Sequence, residues 1–241
     1  MEIIKKIIKK QNAPELSKVP TIAFLGDSIT QGFFEFYLKD ETMIGNVYEE
    51  ENAYPTLTRK ALSVFFPDVP VNIIHAGIGG DNAVKGLERL ERDVLSYSPD
   101  LVVVCFGLND SSFGLDALNQ YKDSLKKIFE KIQATKSEII FMTPNMMNTY
   151  TSPRIEPPTI KDIAESTCKV QNGGIYDIYL ETAKTLCNEL GIPVCDCYKK
   201  WKILHNNGVD VTKLLANKIN HPIREMHWLF AGMLLETMLE N

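Results

Sequence analysis

Thr21-Ile22-Ala23-Phe24-Leu25-Gly26-Asp27-Ser28-Ile29-Thr30 runs from an apolar stretch straight into a turn. The first five residues show little polar alternation. That suits a strand covered on both faces, as in a parallel sheet. Gly26 then opens the turn, and Ser28 stands at the edge of whatever sheet the strand joins. Four further runs of the same kind follow: Val71–His75, Leu101–Phe106, Glu138–Met142 and Ile192–Cys195.

Helical patterns lie between them. Leu118, Tyr121, Leu125, Ile128, Phe129 and Ile132 share one face at a 3.6-residue period, predicting a helix from Asp116 to Ala134 with Asp116 as N-cap. Val84, Leu87, Leu90 and Val94 repeat the pattern after the second run. Ile175, Ile178, Tyr179 and Leu186 mark a helix ending at Gly191, and Met226, Leu229, Phe230, Met233 and Leu234 mark one at the C-terminus. Strands alternating with helices predict an α/β class, a doubly wound sheet with helices on both faces. Two longer stretches, Gly32–Glu51 and Asn145–Asn172, read as irregular. The second holds Pro153, Pro157 and Pro158, with Pro144 just before it. Both follow strand carboxyl ends, where open α/β sheets bind ligands, so they read either as pocket walls or lids or as plain surface loops.

The chain has 241 residues, 44% hydrophobic and 24% charged, with a net charge of -5. These are values of an ordinary globular protein, with no basic bias towards nucleic acid or an anionic membrane surface. The lysines in Met1–Lys10 interrupt the apolar stretch a signal peptide needs, so an amphipathic helical turn packed on the body is expected. No segment is apolar enough for a bilayer span, and the expected location is cytoplasmic. Five cysteines make no disulfide framework. Cys195 and Cys197 would share a face on a strand, but further zinc ligands at suitable spacing are absent, so buried thiols are expected. Nothing in the sequence sets the oligomeric state.

Four segments carry potential chemistry. Ser28 is either a nucleophile beside backbone N–H groups or a helix cap. The pentapeptide around it is not the Gly-x-Ser-x-Gly elbow, since Thr30 takes the last position. Ala76-Gly77-Ile78-Gly79-Gly80-Asp81-Asn82 could bring backbone N–H groups close to a ligand. It fails the dinucleotide fingerprint at Asn82, and no triphosphate-binding loop exists elsewhere. Gly107-Leu108-Asn109-Asp110 is either a turn or the carrier of an amide donor. Asn220-His221-Pro222 holds a histidine that is either structural or a proton relay. A metal site from His221, Glu225 and His227 has helical spacing only for the first pair, and none is expected.

Taken in order, the four segments resemble the SGNH hydrolase superfamily, the GDSL-type esterases and lipases named for Ser, Gly, Asn and His in four sequence blocks. The resemblance runs from Gly26 to His221. It implies a flavodoxin-like three-layer α/β/α sandwich with a five-stranded parallel sheet, one domain over residues 1–241, with 1–18 as an N-terminal extension packed on or preceding it. Ser28 matches the nucleophile, Gly80 the oxyanion glycine (Gly79 as fallback), Asn109 the oxyanion asparagine and His221 the general base. The implied oxyanion hole is the N–H groups of Ser28 and Gly80 with the Asn109 amide. No cofactor and no metal are implied, and the partner is a small acyl ester, not nucleic acid or membrane. Small acyl groups, including O-acetyl groups on carbohydrates, are the expected substrates. A thioesterase or lysophospholipase, or a non-catalytic binding protein of this fold, is the alternative. Phe33, Phe34, Phe36 and Tyr37 could line the acyl or sugar pocket or pack in the core.

One departure from the family pattern matters. The family carries an aspartate three residues before its histidine, and here that residue is Lys218. A lysine cannot accept the imidazole N–H. A Ser28–His221 dyad is therefore expected, its ring held by a backbone carbonyl near Lys218 or by a side-chain oxygen of Asn217 or Asn220. Asp210 is acidic but distant in sequence.

Overall fold

The computed structural model describes residues 1–38, 44–155 and 158–241. The first part of the chain runs α1 (Glu2–Asn12), β1 (Thr21–Gly26), α2 (Ser28–Gln31), β2 (Phe33–Leu38), β3 (Ile44–Tyr48) and α3 (Tyr54–Phe65). The middle runs β4 (Asn72–Gly77), α4 (Ala83–Asp93), β5 (Leu101–Cys105), α5 (Leu108–Ser111), α6 (Leu118–Ala134) and β6 (Glu138–Met142). The last part runs α7 (Pro158–Asn172), α8 (Ile175–Leu190), β7 (Val194–Cys195), α9 (Cys197–Asn206) and α10 (Arg224–Glu240).

The five apolar runs become one sheet in the order β4-β1-β5-β6-β7, with every neighbouring pair parallel. This is the flavodoxin-like order, with the direction of winding reversing beside β1. Successive side chains of a strand point to opposite faces, and the core divides accordingly. Ile22 and Phe24 of β1 pack in one cluster with α1, α3, α9 and α10. Ala23 and Leu25 pack in the other with α4, α6 and α8. The result is the three-layer α/β/α sandwich expected from the family resemblance.

Several details differ from the sequence reading. β7 is two residues long, since Pro193 has no N–H to give to a ladder. α6 starts at Leu118, and Asp116 lies within a preceding 3₁₀ turn without capping it. Gly32–Glu51 is no irregular loop: β2 and β3 pair antiparallel, with a register shift between Phe33 and Glu35. That bulge breaks the period of two that would have marked the strand. Residues 39–43 of that stretch lie outside the described residues. Within Asn145–Asn172, the proline cluster reads as a breaker, yet Pro158 opens α7, where its missing N–H costs nothing. Pro157 lies outside the described residues. α3 is missed because Val64 and Phe65, both exposed, blur its apolar face. Pro55 near its first position is the start signal that could have found it. Cys195 ends β7 and Cys197 begins α9, so they share no strand, but both are buried free thiols.

The N-terminal segment forms α1, with Ile3, Ile4 and Ile7 buried in the main core. The Glu138 carboxylate accepts from the N–H groups of Glu2 and Ile3 at 2.8 and 2.7 Å, holding the helix start to β6. No helix among the described residues is long and apolar enough to cross a membrane.

Candidate active site

Ser28 is the first residue of α2, directly beyond the end of β1. The turn is tight: a Cβ on Gly26 would collide with the Thr30 side chain, and one on Gly77 would strike the backbone of Thr30 and Gln31. Glycine is therefore required at both strand ends for the sheet edge to close under α2. Asp27 caps the helix, accepting the Ile29 N–H at 3.0 Å. Gly32 ends it in the left-handed region. Ser28 is thus a helix-start residue, its Oγ lies 2.7 Å from His221 Nε2, and its own N–H has no partner among the described residues.

The loop after β4 reaches the serine. A Cβ built on Gly79 would lie 3.9 Å from Ser28 Cβ. The Gly79 N–H, however, is donated to Gln31 Oε1 at 2.7 Å, which removes the fallback glycine as an oxyanion donor. Gly80 has φ 78°, a left-handed conformation suited to glycine, and its N–H has no partner among the described residues. Asn109 donates one amide hydrogen to the Asp81 carbonyl at 2.8 Å, so the second hydrogen remains for a ligand. Ser28 thus touches His221 directly, Gly79 stands beside the serine, and Asn109 is tied to the same loop through the Asp81 carbonyl next to Gly80.

His221 is buried, its ring edge-to-face with Phe33 at a centroid distance of 4.3 Å. Burial, with a smaller push from His227, lowers its pKa to about 3, so the ring is neutral at physiological pH. The partner of Nδ1 corrects the sequence reading. It is neither a carbonyl near Lys218 nor a side-chain oxygen but the amide nitrogen of Asn217, at 2.7 Å. Lys218 has φ 59° and sends its Nζ to the Lys213 carbonyl, away from the ring. Asn220 Oδ1 accepts from Asn217 Nδ2. Asp210 caps a 3₁₀ turn and accepts from Tyr150, with no bond to the histidine.

Of the neighbouring aromatics, Phe33 touches the histidine. Phe34 is buried against His227 and under the Arg224 guanidinium, and Tyr37 is half-exposed over Gly45. His227 is fully buried and accepts the Tyr54 N–H on Nδ1. Among the described residues, no group of three or more metal-ligating side chains comes together.

The family model for GDSL-like lipases and acylhydrolases matches residues 24–229. The chain belongs to this family. An acetylxylan esterase of Geobacillus stearothermophilus is 29% identical over 93 residues, 34% of this chain and 42% of that protein. A catalytic mutant of an acetylxylan esterase from the same organism superposes with a TM-score of 0.67 at 18% identity, over 91% of this chain and 94% of the other. A two-domain esterase active on acetylated mannans gives 0.65 at 20% identity, over 99% of this chain and 52% of the other. The chain thus spans about half the length of the first of these relatives or less, and the structural likeness concerns the fold.

Within this GDSL-like chain, three supporting side chains escaped the sequence reading. Arg89 on α4 is buried and donates to Asp81 at 2.7 Å, to the Ala76 carbonyl at 2.7 Å and to the Gly26 carbonyl at 2.8 Å. Asp110 accepts from the N–H groups of Ala83 and Gly107 at 2.9 and 3.0 Å, and burial raises its pKa to about 6. Gln31 engages Gly79 as described. Asp110 adjoins Asn109 and could have been suspected, whereas nothing in the sequence marks Arg89 as a partner of Gly26, 63 residues away, or Gln31 as a partner of Gly79, 48 residues away.

Proposed function

We propose that this chain is a serine esterase that hydrolyses small acyl esters, O-acetyl groups on carbohydrates among them, through an acyl-enzyme on Ser28. The observation that carries this reading is the 2.7 Å contact of Ser28 Oγ with His221 Nε2 at the carboxyl edge of the sheet. Oγ attacks the ester carbonyl while its proton passes to Nε2, once the ring carries its own proton on Nδ1. The oxyanion is received by the N–H groups of Ser28 and Gly80 and by the second amide hydrogen of Asn109. His221 returns the proton to the leaving alcohol. Water then attacks the acyl-enzyme with the same proton exchange and frees the carboxylic acid.

Two observations support a hydroxylated alcohol part. The relatives include esterases named for acetylated xylan and mannan. A cleft of about 230 Å³ beside the histidine loop is lined by polar side chains, Glu35, Arg154, Asn217 and Lys218, together with the apolar Phe36, Ile155, Ile160 and Ala216, a mixture that can take a sugar and its acyl group. A non-catalytic binding role is the second reading, favoured by the absence of a carboxylate at His221 Nδ1.

The test compares wild type with Ser28→Ala on p-nitrophenyl acetate and acetylated xylo-oligosaccharides, with fluorophosphonate labelling alongside. Wild type is expected to turn over both substrates and to label, and the variant to do neither. A folded wild type that neither labels nor hydrolyses would leave the binding role standing instead.

A further inference from the structure

The hydrogen bonds around Asn217 leave its amide one orientation. Oδ1 accepts from the backbone N–H groups of Ile219, Asn220 and His221, each at 3.0 Å. Turning the amide over would set an NH₂ group against three donors. Nδ2 therefore faces the other way with two hydrogens to give. One meets Asn220 Oδ1 at 3.0 Å and the other meets His221 Nδ1 at 2.7 Å. A ring nitrogen that receives a hydrogen bond carries no proton, so neutral His221 holds its proton on Nε2. Nε2 then donates to Ser28 Oγ, and has no lone pair with which to take the serine proton.

We propose that Asn217 is a positioning residue that holds His221 in the Nε2-protonated tautomer, so that Ser28–His221 is a restrained dyad. To serve as base, the ring must first carry its proton on Nδ1. That proton would face the Asn217 NH₂ group, donor against donor. The same opposition acts on the imidazolium formed as Oγ attacks the carbonyl. A carboxylate at 217 would remove it: one oxygen keeps the three N–H groups and the other accepts Nδ1–H. Asn220 can follow by turning its amide over, since its own nitrogen has no partner among the described residues. In a serine protease triad, the opposite exchange of aspartate for asparagine leaves the geometry intact and lowers turnover about 10⁴-fold through the wrong tautomer. The kinetic consequence rests on the esterase reading, whereas the tautomer rests on the hydrogen bonds alone.

Two measurements test this. Nitrogen-15 NMR of the imidazoles at neutral pH, with the His221 signals identified by their loss in His221→Gln, reads the tautomer in wild type without any change at 217. The expected pattern is protonated Nε2 and unprotonated Nδ1, reversed in Asn217→Asp. Steady-state kinetics on p-nitrophenyl acetate should then show kcat raised about 10²–10⁴-fold in Asn217→Asp with KM little changed, since the substitution acts on the base and not on ester binding. Protonated Nδ1 in wild type, or a folded Asn217→Asp with kcat no higher than wild type in an active enzyme, overturns the proposal. If neither protein hydrolyses any ester or takes up the fluorophosphonate while the Nε2-protonated pattern is present, the esterase reading falls and the tautomer assignment stands.

Discussion

At the residue scale, Asn109 shows how a turn residue becomes a candidate oxyanion donor. One amide hydrogen is spent on the Asp81 carbonyl, which fixes the side chain's direction, and the other is left over. Removing a side-chain oxyanion donor typically lowers turnover about 10²–10³-fold. Asn109→Ala is expected to lose that much in kcat on p-nitrophenyl acetate while keeping a cooperative urea transition. Near-normal turnover by the folded variant would remove Asn109 from the oxyanion hole. Asn217 shows the complementary point. A side chain present in the sequence as a candidate acceptor acts as a donor, because three backbone N–H groups claim its oxygen first.

At the element scale, α4 carries more than a packing face. Arg89 reaches across from it to the carbonyls that end β1 and β4 and to Asp81 on the Gly80 loop. Its guanidinium and the Asp81 carboxylate are both nearly excluded from water. Breaking such a pair by deleting one partner strands the other charge and costs about 3–5 kcal/mol. Arg89→Leu should therefore lower the urea-unfolding free energy by that amount, against less than half of it for a surface pair such as Lys126–Glu130. Equal losses at the two places would mean that Arg89 does not hold the strand ends. On the opposite side of the site, Arg224 of α10 pairs with Glu49 and Glu35, fastening the β2–β3 hairpin so that Phe33 rests on the catalytic candidate His221.

At the scale of the whole molecule, buried titratable groups under the sheet edge couple stability to pH in two opposed directions. Burial raises Asp27 from 3.8 to about 7 and Asp110 to about 6. Both hold protons in the native state that the unfolded chain has released. Their stabilisation is complete at low pH and is lost as pH rises through 6 and 7. Burial lowers His221 and His227 from 6.5 to about 3, so their contribution is present above pH 6.5 and is lost as pH falls towards 3. Between pH 6 and 8 the two effects offset each other in wild type, and a single substitution separates them. For Asp27 alone the linkage over that interval is about 1.4 kcal/mol. At about 2–4 °C per kcal/mol, Tm at pH 8 minus Tm at pH 6 should be roughly 3–6 °C more positive in Asp27→Asn than in wild type. Parallel profiles for the two proteins would show that Asp27 is ionised in the native state throughout.

The α/β class was legible because its signal is local. Runs such as Leu101–Phe106 are apolar without alternation only when both faces are covered, and α6 and α10 show their faces at helical spacing. The four site blocks were legible for a similar reason: Ser28, Gly80, Asn109 and His221 each stand in a short, ordered motif. The β2–β3 hairpin and α7 were not, because a bulge erased one period and prolines that start a helix look like prolines that break one. What joins the blocks lay further off. The bonds of Arg89 to Gly26, Gln31 to Gly79 and Asp110 to Ala83 cross between strand ends that only the sheet order β4-β1-β5 brings together. The sequence by itself determined which residues stand at the sheet edge, including the serine and the histidine and the lysine in place of an aspartate. Only the tertiary structure decided what faces His221 Nδ1, because the direction of one amide depends on which groups its two ends meet, and those groups are set by how the loop before α10 closes on itself.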